Sequence, residues 1–362
     1  MPETTAPSPA GFPAEAALDA AMRAAVAAAG LGPRGANPLV GAALLTADGT
    51  LLGTDHHRGA GTAHAEAALL ARLPELAGTA EIASLTLVVT LEPCDHTGRR
   101  GPCTQAIIDA GIRRVVYAAD DPHAVAAGGA RTLRDAGVQV RSGVLAEESR
   151  ALNRRWQAAV REPRPFVTLK LAQSADGCIA AADGTSQWIT GPEARRHAHE
   201  LRARADAVLV GTGTVLADDP SLTARDPAGT LLPGQPLRAV MGLRPVPAGA
   251  AVLRGAGQEA PAAAVLLRTR DPREALDVLY SRGVRHVMVE GGAQVAAAFL
   301  REDLVDEFSL YQAPLLLGRG LPALADLGIG TLADGLRFSP DPAGGGPVRQ
   351  LGDDLWWHLQ PG

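Results

Sequence analysis

Apolar positions alternate between a helical and a strand period along this chain. Residues 14–29 place Leu18, Met22 and Val26 four apart, and Gly30 and Pro33 end that helix. Gly41–Leu45 and Leu51–Gly53 read as strands about the turn Asp48-Gly49. The pattern then predicts a helix at His64–Arg72, a buried strand at Leu85–Thr90 and a helix near Thr104–Ala110. Val115–Ala118 reads as a strand, Arg131–Ala136 as a helix and Val138–Val140 as a short strand. A break is expected at Arg154–Pro165, with two domains joined near residues 155–163. Beyond it, strands are predicted at Phe166–Leu171, Ala207–Val210, Leu237–Met241, Ala264–Leu267, His286–Glu290, Glu307–Gln312 and near Leu355–Leu359. Helices are predicted at Pro192–Ala205, Pro272–Arg282 and Gln294–Arg301. Strands alternating with helices indicate an α/β class for both halves. Residues 1–13, rich in Pro, Ala and Thr, are expected to form a disordered tail. Residues 244–262 and 339–348 read as long loops.

The length of 362 residues suits two domains. With 46% hydrophobic and 20% charged residues, the chain has the composition of a soluble globular protein. A net charge of −5 argues against a nucleic-acid binder held by a broad basic face, and 3% aromatics offer few stacking rings. No apolar run reaches membrane-spanning length, and the N-terminus lacks the pattern of a secretory signal. Cys94, Cys103 and Cys178 are too few for a disulfide framework, so metal binding or catalysis in a reducing cytoplasm is expected. Lys170 is the one lysine, beside 33 arginines.

His64-Ala65-Glu66 opens a predicted helix, and Pro93-Cys94 and Pro102-Cys103 follow a buried strand. One imidazole and two thiolates make three zinc ligands and leave a fourth position for water. Glu66, two residues from His64, can then move a proton without ligating, which is the plan of a zinc deaminase. The competing reading is a purely structural zinc site with His96 as fourth ligand. In the second half, Gly291-Gly292 before a helix suits an anion at the helix N-terminus, or a plain tight turn. Gly211-x-Gly213 does not complete a dinucleotide fingerprint. Asp218-Asp219-Pro220 reads as a cap or turn rather than an acidic metal pair.

The runs NPLVGAAL (37–44), DHHRGAGTAHAEAALL (55–70), VTLEPCDHTGRRGPC (89–103) and DPHAVAAGG (121–129) resemble the bifunctional riboflavin-biosynthesis deaminase–reductase family. LKLAQSADGCIA (169–180), SQWITGPEARR (186–196), LRARADAVLVGTGTVLADDPSLTAR (201–225) and VEGG (289–292) resemble its second half. The resemblance implies a cytidine-deaminase-like α/β/α sandwich over residues 14–155. It also implies a dihydrofolate-reductase-like α/β domain over residues 163–362. By the same resemblance His64, Cys94 and Cys103 hold zinc, Glu66 is the proton shuttle, Asn37 hydrogen-bonds the pyrimidine edge, and His57 lies where the family has a histidine near the substrate. Ala172, Trp188, Thr214, Asp218 and Gly292 fall at positions near NADPH. Lys170, Ser186, Arg202, Leu222, Arg225 and Glu290 fall at positions near the phosphoribosyl substrate. The implied reaction removes the 2-amino group of 2,5-diamino-6-(5-phosphoribosylamino)pyrimidin-4(3H)-one as ammonia. A hydride from NADPH then opens the ribosyl group to a ribityl chain. A cytoplasmic homo-oligomer, dimer or tetramer, is also implied.

The chain departs from the family pattern at Arg100-Gly101-Pro102, at His123-Ala124 and at Val240-Met241-Gly242-Leu243. The last leaves open an active deaminase joined to a degenerate reductase. A paralogue acting on a related aminopyrimidine is the other alternative.

Overall fold

The computed structural model describes residues 11–96, 101–122, 128–232, 235–254, 264–341, 346 and 348–362. Most of the expected tail, the departures at Arg100 and His123-Ala124, and parts of both long loops lie outside these residues. The chain divides into two compact units, Met1–Gln157 and Ala158–Gly362.

The first unit contains α1 (Glu15–Ala29), β1 (Gly41–Leu45), β2 (Leu51–His56), α2 (Ala65–Leu70), α3 (Leu73–Leu76), β3 (Thr86–Leu91), α4 (Cys103–Asp109), β4 (Arg114–Ala119), α5 (Gly129–Asp135), β5 (Gln139–Ser142) and most of α6 (Ala146–Arg161). Its five strands lie in the order β2-β1-β3-β4-β5. The β3, β4 and β5 strands are parallel, and β1 is antiparallel to both its neighbours. Successive strand residues point to opposite faces. Ala42, Leu44, Leu87 and Val89 therefore pack on one side with Leu69 of α2, Ile107 of α4 and Leu133 of α5. Ala43, Leu45 and Val88 pack on the other with Leu18, Met22 and Ala25 of α1. This is the expected α/β/α sandwich.

The stretch read as a break is helical as far as Arg161. The paired arginines are an ordinary polar helix face, and the helix stops just short of Pro163, where proline restricts the preceding residue.

The second unit contains β6 (Phe166–Ser174), β7 (Cys178–Ala180), α7 (Pro192–Ala203), β8 (Ala207–Gly211), α8 (Thr212–Asp218), β9 (Leu237–Met241), β10 (Val265–Leu267), α9 (Pro272–Ser281), β11 (His286–Val289), α10 (Ala293–Arg301), β12 (Glu307–Ala313), β13 (Leu321–Pro322), β14 (Phe338–Pro340), β15 (Val348–Leu351) and β16 (Asp354–Pro361). Its main sheet runs β10-β9-β8-β11-β6-β12-β16-β14, with β15 also on β16. From β10 to β12 the strands are parallel, and β16 is antiparallel to β12. The ends of β8, β11 and β6 therefore lie side by side, where open parallel sheets place their ligands. Helix α8 was not anticipated. Gly211 caps it and Gly213 sits inside it, so the Gly-x-Gly signal marks a helix start rather than a loop.

Close approach of α1 to β1 depends on Gly41, where a Cβ would lie 2.0 Å from the Ala25 carbonyl oxygen and 2.8 Å from the Ala29 nitrogen. Gly41→Ala should force the layers apart and lower stability by about 1–3 kcal/mol. Chemical denaturation of the variant with an unchanged midpoint would contradict this packing.

Candidate functional site

The first cavity, about 250 Å³, is lined by Asn37, His57, His64, Glu66 and Cys94, with Pro38, Val40, Leu91 and Trp156 as apolar walls. His64 is the residue before α2, and Glu66 lies in its first turn. Cys94 follows the end of β3, and Cys103 is the first residue of α4. Elements distant in sequence thus converge on one point. His64 Nδ1 lies 3.2 Å from Cys103 Sγ and 3.5 Å from Cys94 Sγ. The three donor atoms lie within 4.8 Å of one another. Tetrahedral zinc at ordinary N and S bond lengths spaces its ligands roughly 3.6 Å apart, so the set fits that ion. The structural alternative needed His96 as well. His96 lines the cavity, but it is not one of the three clustered donors. Cys178 lies in β7 of the second unit.

The thiols act as a pair. A hydrogen bond from Cys103, with His64 beside it, pulls the Cys94 thiol down, and Cys103 is pushed up in turn. Glu66 is 2% exposed, and its Oε2 has no hydrogen-bond partner. Burial pushes its carboxyl up to about 7. Opposite it, Asn37 Nδ2 lies 3.0 Å from His57 Nε2, while His57 Nδ1 lies 3.1 Å from the Ala63 carbonyl. His57 therefore donates from Nδ1 to Ala63 and accepts at Nε2 from the Asn37 amide. That fixes the orientation of Asn37 and leaves its Oδ1 as an acceptor.

Two positioning residues sit in the EPCD run yet carried no signal of their own. Glu92 Oε1 accepts the backbone N–H groups of Gly128 (3.2 Å) and Ala130 (3.0 Å) at the start of α5. Asp95 accepts the hydroxyls of Thr104 on α4 and Thr132 on α5, both at 2.6 Å. Gly129 completes the clamp, because a Cβ there would lie 1.8 Å from the Pro93 carbonyl oxygen. Trp156 was also missed. Its Nε1–H donates to the Ala36 carbonyl at 3.0 Å, holding the indole beside Asn37.

The second cavity, about 570 Å³, brings together every residue expected of the second half. Lys170, Ala172, Ser186, Trp188, Arg202, Thr214, Asp218, Leu222, Arg225, Glu290 and Gly292 all line it. Helix α10 begins here, with Gly292 as its cap and the Gly292 N–H donating to Thr214 Oγ1 at 3.2 Å. At Gly291 a Cβ would lie 2.5 Å from that of Val295. Tight packing thus requires glycine at Gly291, beside a helix N-terminus, a place that suits an anion. Trp188 is 68% exposed, so it is no core aromatic, and Arg195 stacks 4.8 Å from its ring. Ser186 donates to Asp218 Oδ1 at 3.0 Å. Asp219 ends α8 and accepts the Ala251 N–H at 2.7 Å, as the turn reading expected. Gly242 has a local reason: its φ is 141°, and a Cβ would lie 2.5 Å from Thr212 Oγ1.

The cavity floor is an ion cluster. Arg202 grips Glu290 with two hydrogen bonds, of 2.5 and 2.8 Å, and Lys170 Nζ lies 3.8 Å from Glu290 Oε2. Arg202 also donates to the Thr223 carbonyl at 3.2 Å, so its fork is committed within the protein. Burial pushes the Glu290 carboxyl up, but Arg202 and then Lys170 outweigh it and hold it at about 2. Burial likewise pushes Lys170 down, against the pull of Glu290. A separate buried group, Glu307, Asp341 and His358, could also offer three donors. His358 Nε2 lies 3.1 Å from Glu307 and 3.7 Å from Asp341, and both carboxylates have further partners within the protein.

The cytidine and deoxycytidylate deaminase zinc-binding region model matches residues 16–119. The RibD C-terminal domain model matches residues 165–338. The riboflavin biosynthesis protein RibD of Mycobacterium tuberculosis is 44% identical over 319 residues, 88% of this chain and 89% of the relative. The solved structure of Acinetobacter baumannii RibD is 33% identical and covers 96% of this chain and 100% of its own, with a TM-score of 0.82. A Thermotoga maritima structure, described as a diaminohydroxyphosphoribosylaminopyrimidine deaminase and 5-amino-6-(5-phosphoribosylamino)uracil reductase, is 32% identical. It covers 96% of this chain and 99% of its own, with a TM-score of 0.80.

Asp95→Ala should release the clamp on Cys94 and weaken zinc binding roughly 10–100-fold. Competition with a chelating dye measures this, and Cys178→Ser should bind as the parent does. Glu290→Gln should cost roughly 3–5 kcal/mol near neutral pH, because Arg202 loses its buried partner. The Glu290 carboxyl falls from about 4.3 in the unfolded chain, so its stabilisation is complete above that pH and lost as pH falls towards 2. The stability gap between parent and variant should therefore narrow from pH 7 to pH 3. An equal gap at both would remove Glu290 from the ion cluster.

Proposed function

This chain belongs to the RibD family of bifunctional riboflavin-biosynthesis enzymes, and from that premise we propose which of its residues carry the deaminase and reductase steps. The observation that carries the reading is the buried, unpartnered Glu66 carboxylate oxygen beside the converging donors of His64, Cys94 and Cys103. These three residues would hold zinc, and His64 would use Nδ1. Bound zinc supplies Lewis acidity and makes hydroxide accessible near neutral pH. Glu66 accepts the proton of the attacking water as the C2–O bond forms, then gives it to the 2-amino nitrogen as the C2–N bond breaks and ammonia leaves. Asn37 accepts from the edge of the pyrimidine through Oδ1, with His57 holding its amide. The substrate is 2,5-diamino-6-(5-phosphoribosylamino)pyrimidin-4(3H)-one.

The second cavity takes NADPH along Ala172, Trp188, Thr214, Asp218 and the Gly292 turn. NADPH supplies the hydride for the ribosyl C1′. Lys170 presents a compact cation to the ribosyl oxygens, and Glu290 keeps that ammonium charged despite its burial. Arg225 meets the phosphate through Nη2, because its Nε and Nη1 already bond Thr223 and Gly229 and all three nitrogens of Arg202 bond Glu290 or Thr223. A reductase half that only binds nucleotide is disfavoured by the assembly of all its expected residues around one cavity. Two thiol ligands and a third buried thiol suit the reducing cytoplasm, and the family resemblance supports a dimer or tetramer. Among the described residues no helix is long and apolar enough to cross a membrane.

Incubation with the diaminopyrimidine, with and without NADPH, followed by mass analysis tests the reading. Ammonia should be released in both cases, and the reduced ribityl product should form only with NADPH. Glu66→Gln should keep its zinc and lose at least a hundredfold in ammonia release. Near-parental deamination in that variant would end the proton-transfer role.

A further inference from the structure

His199 lies on α7 and lines the second cavity between Arg195 and Arg202, one and two helical turns along one face. The sequence reading gave it no role. Its Nδ1 lies 3.2 Å from the backbone nitrogen of Arg225, whose N–H points at it, and 3.2 Å from the Thr223 carbonyl oxygen. Both contacts cannot use an Nδ1 proton. The Thr223 carbonyl already accepts from Arg202 Nη1 at 3.2 Å, whereas the Arg225 N–H needs an acceptor. Nδ1 is therefore the lone-pair nitrogen, and the proton of the neutral ring sits on Nε2.

The loop that supplies this N–H does not depend on His199. Gln235 accepts from the Ala224 N–H at 3.0 Å and donates to the Ala224 carbonyl at 2.7 Å. The Leu232 N–H donates to the same carbonyl at 3.0 Å. Arg225 Nη1 ties back to the Gly229 carbonyl at 2.6 Å. The loop is thus built without the imidazole, and its spare N–H sets the state of the ring. Burial, then the charge of Arg202, pushes the ring down and so favours its neutral form.

We propose that His199 is a substrate-binding residue of the reductase site. Its Nε2–H, fixed by the Arg225 backbone, donates to an oxygen of the phosphoribosyl group. This rests on the function proposed above and deepens it. A neutral donor of one fixed polarity binds hydroxyl or phosphate oxygen without adding charge beside Lys170 and Arg202.

Two shorter amides separate the ring's two edges. In His199→Gln the amide reaches about as far as Nε2 and keeps a donor in the cavity. In His199→Asn it reaches only about as far as Nδ1 and still accepts the Arg225 N–H. NADPH oxidation with 5-amino-6-(5-phosphoribosylamino)uracil should show KM for that substrate within about threefold of the parent in the Gln variant. The Asn variant should raise it at least tenfold, with KM for NADPH and the rate of deamination unchanged in both. In 15N-labelled parent protein, the His199 ring should carry its proton on Nε2. A parental KM in the Asn variant, a ring protonated on Nδ1, or parallel loss of deamination and thermal stability would each overturn the proposal. A parent that deaminates but never oxidises NADPH would instead refute the reductase reading itself.

Discussion

A charge taken out of water must meet an opposite charge or a hydrogen bond within reach, and both cavities are organised around that constraint. In the first unit two sulfurs and an imidazole converge within 4.8 Å of one another beside the buried Glu66 carboxyl. In the second unit the same demand is met within the protein, where Glu290 answers both Arg202 and Lys170. One cavity is completed by a cation and the other by a carboxylate. That difference follows from whether the protein supplies the balancing charge.

Holding such groups together needs rigid support, and the support lies one layer out. Glu92, Asp95 and Gly129 lock the turn carrying Cys94 onto the starts of α4 and α5. Gly211, Gly242 and Gly291 let α8 and α10 start close to the sheet. In each case a missing Cβ or a short carboxylate sets where a helix begins, and the helix start carries the functional group.

Lys170 shows how a local oddity gains a physical reason. It stands alone among 33 arginines. It lies 3.8 Å from Glu290 and 5.6 Å from the centre of the Tyr311 ring, on a strand within the sheet. A compact ammonium can share Glu290 with Arg202 at such a site, whereas a second planar fork would need its own set of acceptors.

The succession of most helices and strands, the α/β class and the residues of the His64, Cys94 and Cys103 cluster were legible in the sequence. Periodicity reports which side of an element is buried, and His-x-Glu with the paired Pro-Cys turns reports chemistry within short spans. Every residue of the second half that the resemblance to a known family named lines the second cavity, although others that line it, His199 among them, were not named. Helix α6 was not read from the sequence, and its second half was taken for a break, because a helix rich in charged residues looks like a linker. The commitment of Arg202 to Glu290, the clamp of Asp95 on two threonines and the proton position on His199 were not legible. Each depends on a partner in another element, from 9 to 88 residues away, and sequence pattern records that a side chain is polar without recording what it meets. Residue types and burial were therefore fixed by local sequence, while pairing, tautomer and charge state were decided by the tertiary structure, because they depend on distances that only packing sets.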